Sequence, residues 1–351
     1  SYSVTYKVVD SDNNSVEKTI TVEVVDTIAP VISVSQDSID MEINGNTSED
    51  AFKTLVGLST SDNSNGVVTI SSDFSSVNQS ALGTSNVTIT ATDASGNSST
   101  KVIVVNVVDT TAPVINVTKD SIDIEINGNT SEDVFKTLVG LSTSDNSNGT
   151  VTVTTTFTSV NQSVLGTSNV TITATDESGN SSTKTIIVKV VDTTKPILTV
   201  VNEEISIEVN GNTSEDAFKT LVGISTSDNS NGIINVSSDF SSVDQSVVGT
   251  SNVTITATDG SGNSSTKVIV VKVVDTIAPV INVNQDTVDI ELNGSTSEDA
   301  FKTLVGLSTS DNSNGIINVS SDFSSVDQSV LGTSNVTITA TDASGNSSTK
   351  V

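Results

Sequence analysis

Apolar and polar residues alternate along most of the chain, and this pattern predicts short β-strands. In residues 38–43 the apolar side chains take every second position, which places them on one face of a strand. Residues 84–93 and 101–108 have the same period and are rich in the β-branched residues that favour strands. Turn-forming sequences at 44–46 and 62–66 separate these segments. The pattern therefore predicts an all-β fold.

One segment departs from this period and predicts a short helix. In residues 48–57, apolar side chains recur at helical spacing, and Phe52 is placed to fill the core. Thr47 and Asp50, three positions apart, resemble a helix N-terminal capping box. Gly57 is suited to end the helix. We therefore expect one to two helical turns between the second and third strands.

The whole pattern repeats every 83 residues, as the spacing of Asp26, Asp109, Asp192 and Asp275 shows. About seven short strands per repeat, with turns every 8–12 residues, are typical of an immunoglobulin-like β-sandwich. Neighbour-only contacts between such repeats would give an elongated rod. We expect five segments: 1–26 (the last two strands of a preceding repeat), 27–109 (repeat 1), 110–192 (repeat 2), 193–275 (repeat 3) and 276–351 (repeat 4, lacking most of its last strand).

Composition and charge exclude several classes of function. The net charge of −28 argues against nucleic-acid binding, which requires a basic surface. No run of residues is long and apolar enough to predict a membrane span. The chain has no histidine and no cysteine, so it lacks the commonest catalytic bases and thiol nucleophiles. We do not expect an enzyme.

Two polar segments and a proline hinge carry a resemblance to a known family. Residues 83–97 (GTSNVTITATDASGN) precede a valine-rich strand and an Asp-Thr-x-x-Pro hinge, and residues 59–66 read STSDNSNG. These motifs resemble the hyalin-repeat type and related bacterial or archaeal immunoglobulin-like tandem repeats, as in biofilm-associated adhesins and surface-layer proteins. The resemblance implies an extracellular, cell-surface location and a role as a spacer or adhesive stalk.

Acidic loops predict a cation site in each repeat. In an immunoglobulin-like sandwich, the loop between the second and third strands and the loop before the last strand lie at the pole where the chain begins its repeat, beside the hinge aspartate. Carboxylate and amide oxygens suit Ca²⁺, which would also neutralise repulsion between adjacent acidic repeats. Turn formation by Asp and Asn is the alternative, with a sodium ion or no ion bound. The candidate ligands are Asp26, Asp62, Asn63, Asp93 and Asn97 in repeat 1; Asp109, Asp145, Asn146, Asp176 and Asn180 in repeat 2; Asp192, Asp228, Asn229, Asp259 and Asn263 in repeat 3; and Asp275, Asp311, Asn312, Asp342 and Asn346 in repeat 4.

Asn-x-Ser/Thr triplets are candidate glycosylation sites. In repeat 1 they begin at Asn46, Asn78, Asn86 and Asn97. A chain this rich in Asn, Ser and Thr also forms such triplets by chance, so a glycoprotein is one of two interpretations.

Taken together, these features favour a structural stalk or fibre segment of an adhesin, a biofilm matrix or a cell-surface filament. Its partners would be the neighbouring repeats, with lateral or head-to-tail self-association as a further possibility. The alternative is a set of multivalent modules that bind glycans or host proteins and gain avidity by repetition. Few aromatic residues are available to stack on sugars, so this alternative ranks second.

Overall fold

The computed structural model describes all residues, 1–351, and confirms the all-β class with short helices. The chain forms two compact units. One contains residues 1–123, 130–161 and 167–189, and the other contains residues 124–129, 162–166 and 190–351. The repeated elements recur at the 83-residue spacing found in the sequence, as the helix starts at Glu49, Glu132, Glu215 and Glu298 show.

Twenty-five strands, four α-helices and four 3₁₀-helices make up the chain. The strands are β1 Tyr2–Val9, β2 Ser15–Val22, β3 Val31–Ser33, β4 Ser38–Glu42, β5 Ser59–Ser61, β6 Thr69–Ser72, β7 Gly83–Thr92, β8 Ser98–Val108, β9 Val114–Asn116, β10 Ser121–Glu125, β11 Ser142–Ser144, β12 Thr152–Thr155, β13 Gly166–Thr175, β14 Ser181–Val191, β15 Ile197–Val200, β16 Glu204–Glu208, β17 Ile224–Ser227, β18 Asn235–Ser238, β19 Gly249–Thr258, β20 Ser264–Val274, β21 Val280–Asn282, β22 Ser308–Ser310, β23 Asn318–Ser321, β24 Ile338–Thr341 and β25 Ser347–Lys350. The α-helices are α1 Glu49–Leu55, α2 Glu132–Leu138, α3 Glu215–Val222 and α4 Glu298–Leu304; the 3₁₀-helices are Phe74–Ser76, Phe157–Ser159, Phe240–Ser242 and Phe323–Ser325.

Repeat 1 lies in the first unit and shows the topology. A four-stranded sheet has the order β4-β8-β7-β6, and β3 pairs with β5 in a second sheet. The β4–β8 pair is parallel, with Ile39 opposite Val105, whereas the other pairs are antiparallel. The alternating apolar residues of β4, β7 and β8 point into one buried core. Six strands form, against about seven expected, and residues 74–76 form a 3₁₀-helix.

The predicted helix forms, but its N-cap is Ser48 rather than Thr47. The Ser48 hydroxyl accepts a hydrogen bond from the Ala51 N–H at 3.2 Å. The backbone of Thr47 is instead held by the side chain of Gln79, which accepts from its N–H and donates to its carbonyl. Phe52 is fully buried and stacks on Phe74 with ring centroids 4.5 Å apart. The helix therefore serves to insert an aromatic side chain into the sandwich.

The second unit contains repeat 3 with the same design. Its large sheet has the order β16-β20-β19-β18, and β16 again runs parallel to β20. Phe218 stacks on Phe240 at 4.4 Å inside a continuous apolar core. In the same unit, residues 287–291 are not a strand, although their sequence matches β4 and β16. The sheet there holds only β23, β24 and β25, so no parallel neighbour supports them.

Candidate cation site

Each aspartate cluster is built from three loops that the sheet brings to one pole of the repeat. In repeat 3, Asp192 follows β14, Asp228 follows β17 and Asp259 follows β19. One carboxylate oxygen from each residue lies within 4.8 Å of the others. The same spacing holds for Asp26, Asp62 and Asp93; for Asp109, Asp145 and Asp176; and for Asp275, Asp311 and Asp342. The structure thus places together the three acids of every repeat that the sequence analysis selected.

The aspartate before the last strand is held by its own turn. In repeat 3 the Asp259 Oδ1 accepts hydrogen bonds from the backbone N–H groups of Ser261 and Asn263, both at 2.9 Å. The Asn263 side chain donates to Asp259 Oδ2 at 2.9 Å and to the Asp192 carbonyl at 3.1 Å. Burial is the largest single effect on Asp259 and raises its pKa, but these hydrogen bonds together lower the pKa below its usual value. The residue is therefore ionised at neutral pH.

The asparagine side chain at the end of this turn orients the aspartates of the cluster through its nitrogen atom. In each repeat the side-chain N–H₂ donates both to the turn aspartate and to the carbonyl of the hinge aspartate. A flipped amide would set its oxygen against a carboxylate, so this orientation is favoured. The residues concerned are Asn97, Asn180, Asn263 and Asn346. The geometry gives them an orienting contact, whereas the sequence had suggested them as ligands.

The other two carboxylates in repeat 3 each keep a buried oxygen without a hydrogen-bond partner. Asp228 Oδ2 accepts from the N–H and hydroxyl of Ser230, and Asp192 Oδ2 accepts from the Ser261 hydroxyl at 3.1 Å. Their Oδ1 atoms are buried and unpartnered. Asp192 is only 9% exposed, and the equivalent Asp275, which has the same free oxygen, is 7% exposed. Hydrogen bonds account for one oxygen of each carboxylate and leave the second unexplained.

No positive side chain compensates these clusters. All ten ion pairs of the chain involve acids elsewhere. A buried carboxylate oxygen without a partner is costly, and three charged carboxylates at this spacing also repel one another. Free carboxylate oxygens are the ligands that a hard divalent cation takes. The donor set therefore fits Ca²⁺, and repeats 1, 3 and 4 each keep two such buried carboxylate oxygens without a partner.

The asparagine after the second aspartate differs between repeats. Asn146, Asn229 and Asn312 each keep a buried side-chain oxygen without a partner. Asn63, the equivalent residue in repeat 1, is exposed, and its N–H₂ donates to Asp26 Oδ1 at 3.2 Å. Three of the four predicted amide ligands of this type therefore have a free oxygen.

Sequence reasoning missed one acidic residue beside these asparagines, namely the glutamate that ends the second strand. Asn146 donates to Glu42 at 2.7 Å, Asn229 to Glu125 at 2.8 Å and Asn312 to Glu208 at 3.0 Å. Each glutamate comes from the repeat before the asparagine. The signal that could have found Glu42 is its recurrence two residues before Asn-Gly or Asn-Gly-Asn in later copies.

The glycosylation triplets fall in two environments. Asn46, Asn78 and Asn86 are exposed. The Asn97 nitrogen, the atom that would carry a glycan, donates to Asp93 and to the Asp26 carbonyl at 2.8 and 3.1 Å. Glycosylation at Asn97 would replace one of the two N–H donors that make these contacts, so Asn46, Asn78 and Asn86 are the three sites that remain predictions without a competing role.

Known proteins contain sequences similar to this repeat. The family described as Internalin K domain (D3/D4) matches residues 30–108 and 196–274. Hyalin of Strongylocentrotus purpuratus is 32% identical over 363 residues, covering 98% of this chain and 29% of hyalin. The serine-rich adhesin for platelets of Staphylococcus aureus is 32% identical over 169 residues, covering 40% of this chain and 7% of that protein. The chain thus spans less than a third of the length of either relative.

A structural likeness is also found to protocadherin gamma B2 extracellular cadherin domains 3–6. It has 15% identity and a TM-score of 0.32, and it covers 78% of this chain and 84% of that one. The sequence relatives show an extracellular, cell-surface chain of adhesin-type immunoglobulin-like tandem repeats. This confirms the expected localisation. No helix in the structure has the length and apolar character needed to cross a bilayer.

Proposed function

We propose that this chain is a calcium-stiffened structural segment of a cell-surface protein. In this proposal each aspartate cluster binds one Ca²⁺ at the start of its repeat, and the repeats act as a spacer or fibre segment. The observation that carries it is the pair of buried carboxylate oxygens without partners, Oδ1 of Asp192 and Oδ1 of Asp228, beside the ionised Asp259. Residues Asp275, Asp311 and Asp342 repeat the arrangement.

The charge of the chain supports the same proposal. With a net charge of −28, neighbouring acidic repeats repel, and net repulsion destabilises compact arrangements. Four bound divalent cations would remove eight of these negative charges. Extracellular calcium modules have Kd on the order of 10⁻⁴–10⁻³ M, so the sites would be filled in a calcium-rich extracellular medium.

The rival function, glycan or host-protein binding by exposed loops, has less support. All eight phenylalanines are buried, and they form four stacked pairs. The two tyrosines, Tyr2 and Tyr6, are confined to the first hairpin. The repeats thus offer no recurring exposed aromatic surface of the kind on which sugars stack.

Calcium binding by the full chain tests the proposal. Equilibrium dialysis should find four sites, and Asp192→Asn should remove one of them. Asp37→Asn is the matched control, because it makes the same charge change at an exposed acid that pairs with Lys101 at 2.7 Å. It should leave all four sites intact. An equal loss in both variants, or no saturable binding in the parent, would contradict the proposed site.

Solution scattering tests the mechanical part. The normalised Kratky profile of the full chain should show less flexibility in calcium than in chelator. The same profile in both conditions, with calcium bound, would leave the sites occupied but exclude stiffening as their role.

A further inference from the structure

The glutamate at the end of the second strand holds the first residues of the next repeat. Glu42 accepts hydrogen bonds from the Thr110 N–H at 3.1 and 3.2 Å, from the Thr110 hydroxyl at 2.7 Å and from the Thr111 hydroxyl at 2.8 Å. The Asn146 side chain donates to it at 2.7 Å. Both carboxylate oxygens are thus occupied by neutral donors. This leaves Glu42 poorly placed to serve as a cation ligand itself.

The asparagine of the next repeat makes two further contacts with the preceding repeat. The Asn44 side chain donates to the Asn146 carbonyl at 2.7 Å, and Asn146 donates to the Ile43 carbonyl at 3.5 Å as well as to Glu42. A flipped amide would set its oxygen against a carboxylate and a carbonyl, so the nitrogen must face the preceding repeat. The Asn146 Oδ1 is left buried without a partner, next in sequence to Asp145, whose Oδ1 is also buried and free.

The same hydrogen-bond network recurs at the other two joints, which connect repeat 2 to repeat 3 and repeat 3 to repeat 4. Asn229 contacts Glu125 and the Ile126 carbonyl, and Asn127 donates to the Asn229 carbonyl at 2.8 Å. At the next joint the corresponding residues are Asn312, Glu208, Val209 and Asn210. A buried amide oxygen without a hydrogen-bond partner costs free energy, and the structure has one at each of the three joints.

We propose that Asn146, Asn229 and Asn312 link the calcium site of their own repeat to the glutamate of the preceding repeat. The side-chain oxygen is a ligand of the cation, and the side-chain nitrogen is anchored by Glu42, Glu125 or Glu208. This inference rests on the proposed calcium function. Glu42, Glu125 and Glu208 are then positioning residues that touch the asparagine and not the ion.

Through this link, the calcium affinity of the site and the order of the contact between the two repeats depend on the same asparagine side chain. A cation that binds the oxygen fixes the amide plane and strengthens the nitrogen's contact with the glutamate. By reciprocity, a glutamate that holds the nitrogen presents the oxygen to the cation. The oxygen's contact with the cation and the nitrogen's contact with the glutamate can each be removed by a separate substitution. The coupling between them can therefore be measured.

The test uses the full chain with spin labels at Ser71→Cys and Thr154→Cys, because the chain has no native cysteine and both positions are exposed. In the parent, calcium should narrow the distance distribution between the labels. Asn146→Leu and Glu42→Gln should each lower calcium affinity at one of the four sites, by about 10-fold and about 3-fold, and both should broaden the distribution in saturating calcium. Asn229→Leu is the control, since it removes the equivalent amide at the next joint, which does not lie between the two labels. It should leave the distribution unchanged.

Three results would overturn the link. Unchanged calcium affinity in Asn146→Leu would exclude the amide oxygen as a ligand. Unchanged affinity in Glu42→Gln, or equal broadening in calcium and in chelator, would reduce the glutamate to a structural contact. Circular dichroism of the variants verifies that they fold. If the parent binds no calcium, the proposed function fails; if it binds four ions that neither variant affects, only the link fails.

Discussion

Every repeat has two kinds of acidic site, which differ in whether a lysine lies beside the carboxylate. One kind comprises surface acids with a lysine beside them, such as Glu215, which pairs with Lys219 at 3.0 Å, and Glu203, which pairs with Lys267 at 3.1 Å. The pole acids Asp192, Asp228 and Asp259 are more buried and closer together, yet no lysine reaches them.

The difference bears on the source of any compensating charge. Exposed pairs are solvated, so each is worth little and its loss is tolerated. A buried cluster without a counter-charge is costly, and the chain presents it four times. We infer that the compensating charge is supplied from solution, and the predictions below test that contrast in order of expected effect.

Removing calcium should have the largest effect. If Kd is about 10⁻⁴ M, about 10 mM calcium stabilises each site by about 2.7 kcal/mol. For repeats of this size, that corresponds to a fall in Tm of about 10–20 °C in chelator. Differential scanning calorimetry in calcium and in chelator measures the shift. Identical melting curves would mean that the clusters carry no ion.

The effect of Asp228→Asn should be unfavourable in calcium and favourable in chelator. In calcium it should weaken binding at one site by at least about 10-fold, because a charged ligand is lost. In chelator it should raise Tm slightly, because the new N–H₂ group can donate to the neighbouring carboxylates and repulsion falls. Calcium titration together with melting in both conditions measures this. Destabilisation in both conditions would show that Asp228 acts only as a turn residue.

Thr111 and Ile277 occupy equivalent positions after the hinge and offer a natural comparison. The Thr111 hydroxyl donates to Glu42 at 2.8 Å, whereas Ile277 provides no such donor to Glu208. Thr111→Ile should destabilise its joint by about 1 kcal/mol, and Ile277→Thr should add a comparable contact to the third joint. Chemical denaturation measures both. Effects of the same sign would argue that the hydroxyl contact has no role.

Lys219→Met should have the smallest effect. Calcium affinity should be unchanged, and Tm should fall by less than about 4 °C, since exposed helix pairs contribute little. Hydrogen bonding by Lys219 is the main cause that lowers the pKa of Glu215 below 4.5. The pair therefore stabilises the fold above that pH, and its contribution is lost as the pH falls through the lower folded pKa. The Tm difference between variant and parent should shrink accordingly on acidification, and a difference that persists at low pH would show that the charge is not responsible.

Local rules were enough for much of this fold. Alternation of apolar residues placed Ile39, Ile89 and Ile103 in the core, where the structure finds them buried. The helix was predictable from spacing, but its cap was not, since Thr47 and Ser48 are both suitable caps by type. The choice was made by Gln79, which is 32 residues away in sequence and occupies the Thr47 backbone. Likewise, the parallel pairing of β4 with β8 leaves no mark in the alternation of either strand.

The sequence by itself determined the repeat period, the strand class and which aspartates belong to one pole, because these depend on residue type, spacing and the order of loops. Only the tertiary structure decided which oxygen of each carboxylate is already used, that Asn263 faces the cluster with its nitrogen, and that Glu42 meets Asn146 across 104 residues. The physical reason is that hydrogen-bond direction and burial depend on atoms brought together by folding. The composition gives the net charge, but only the folded structure shows which charged groups lack a partner.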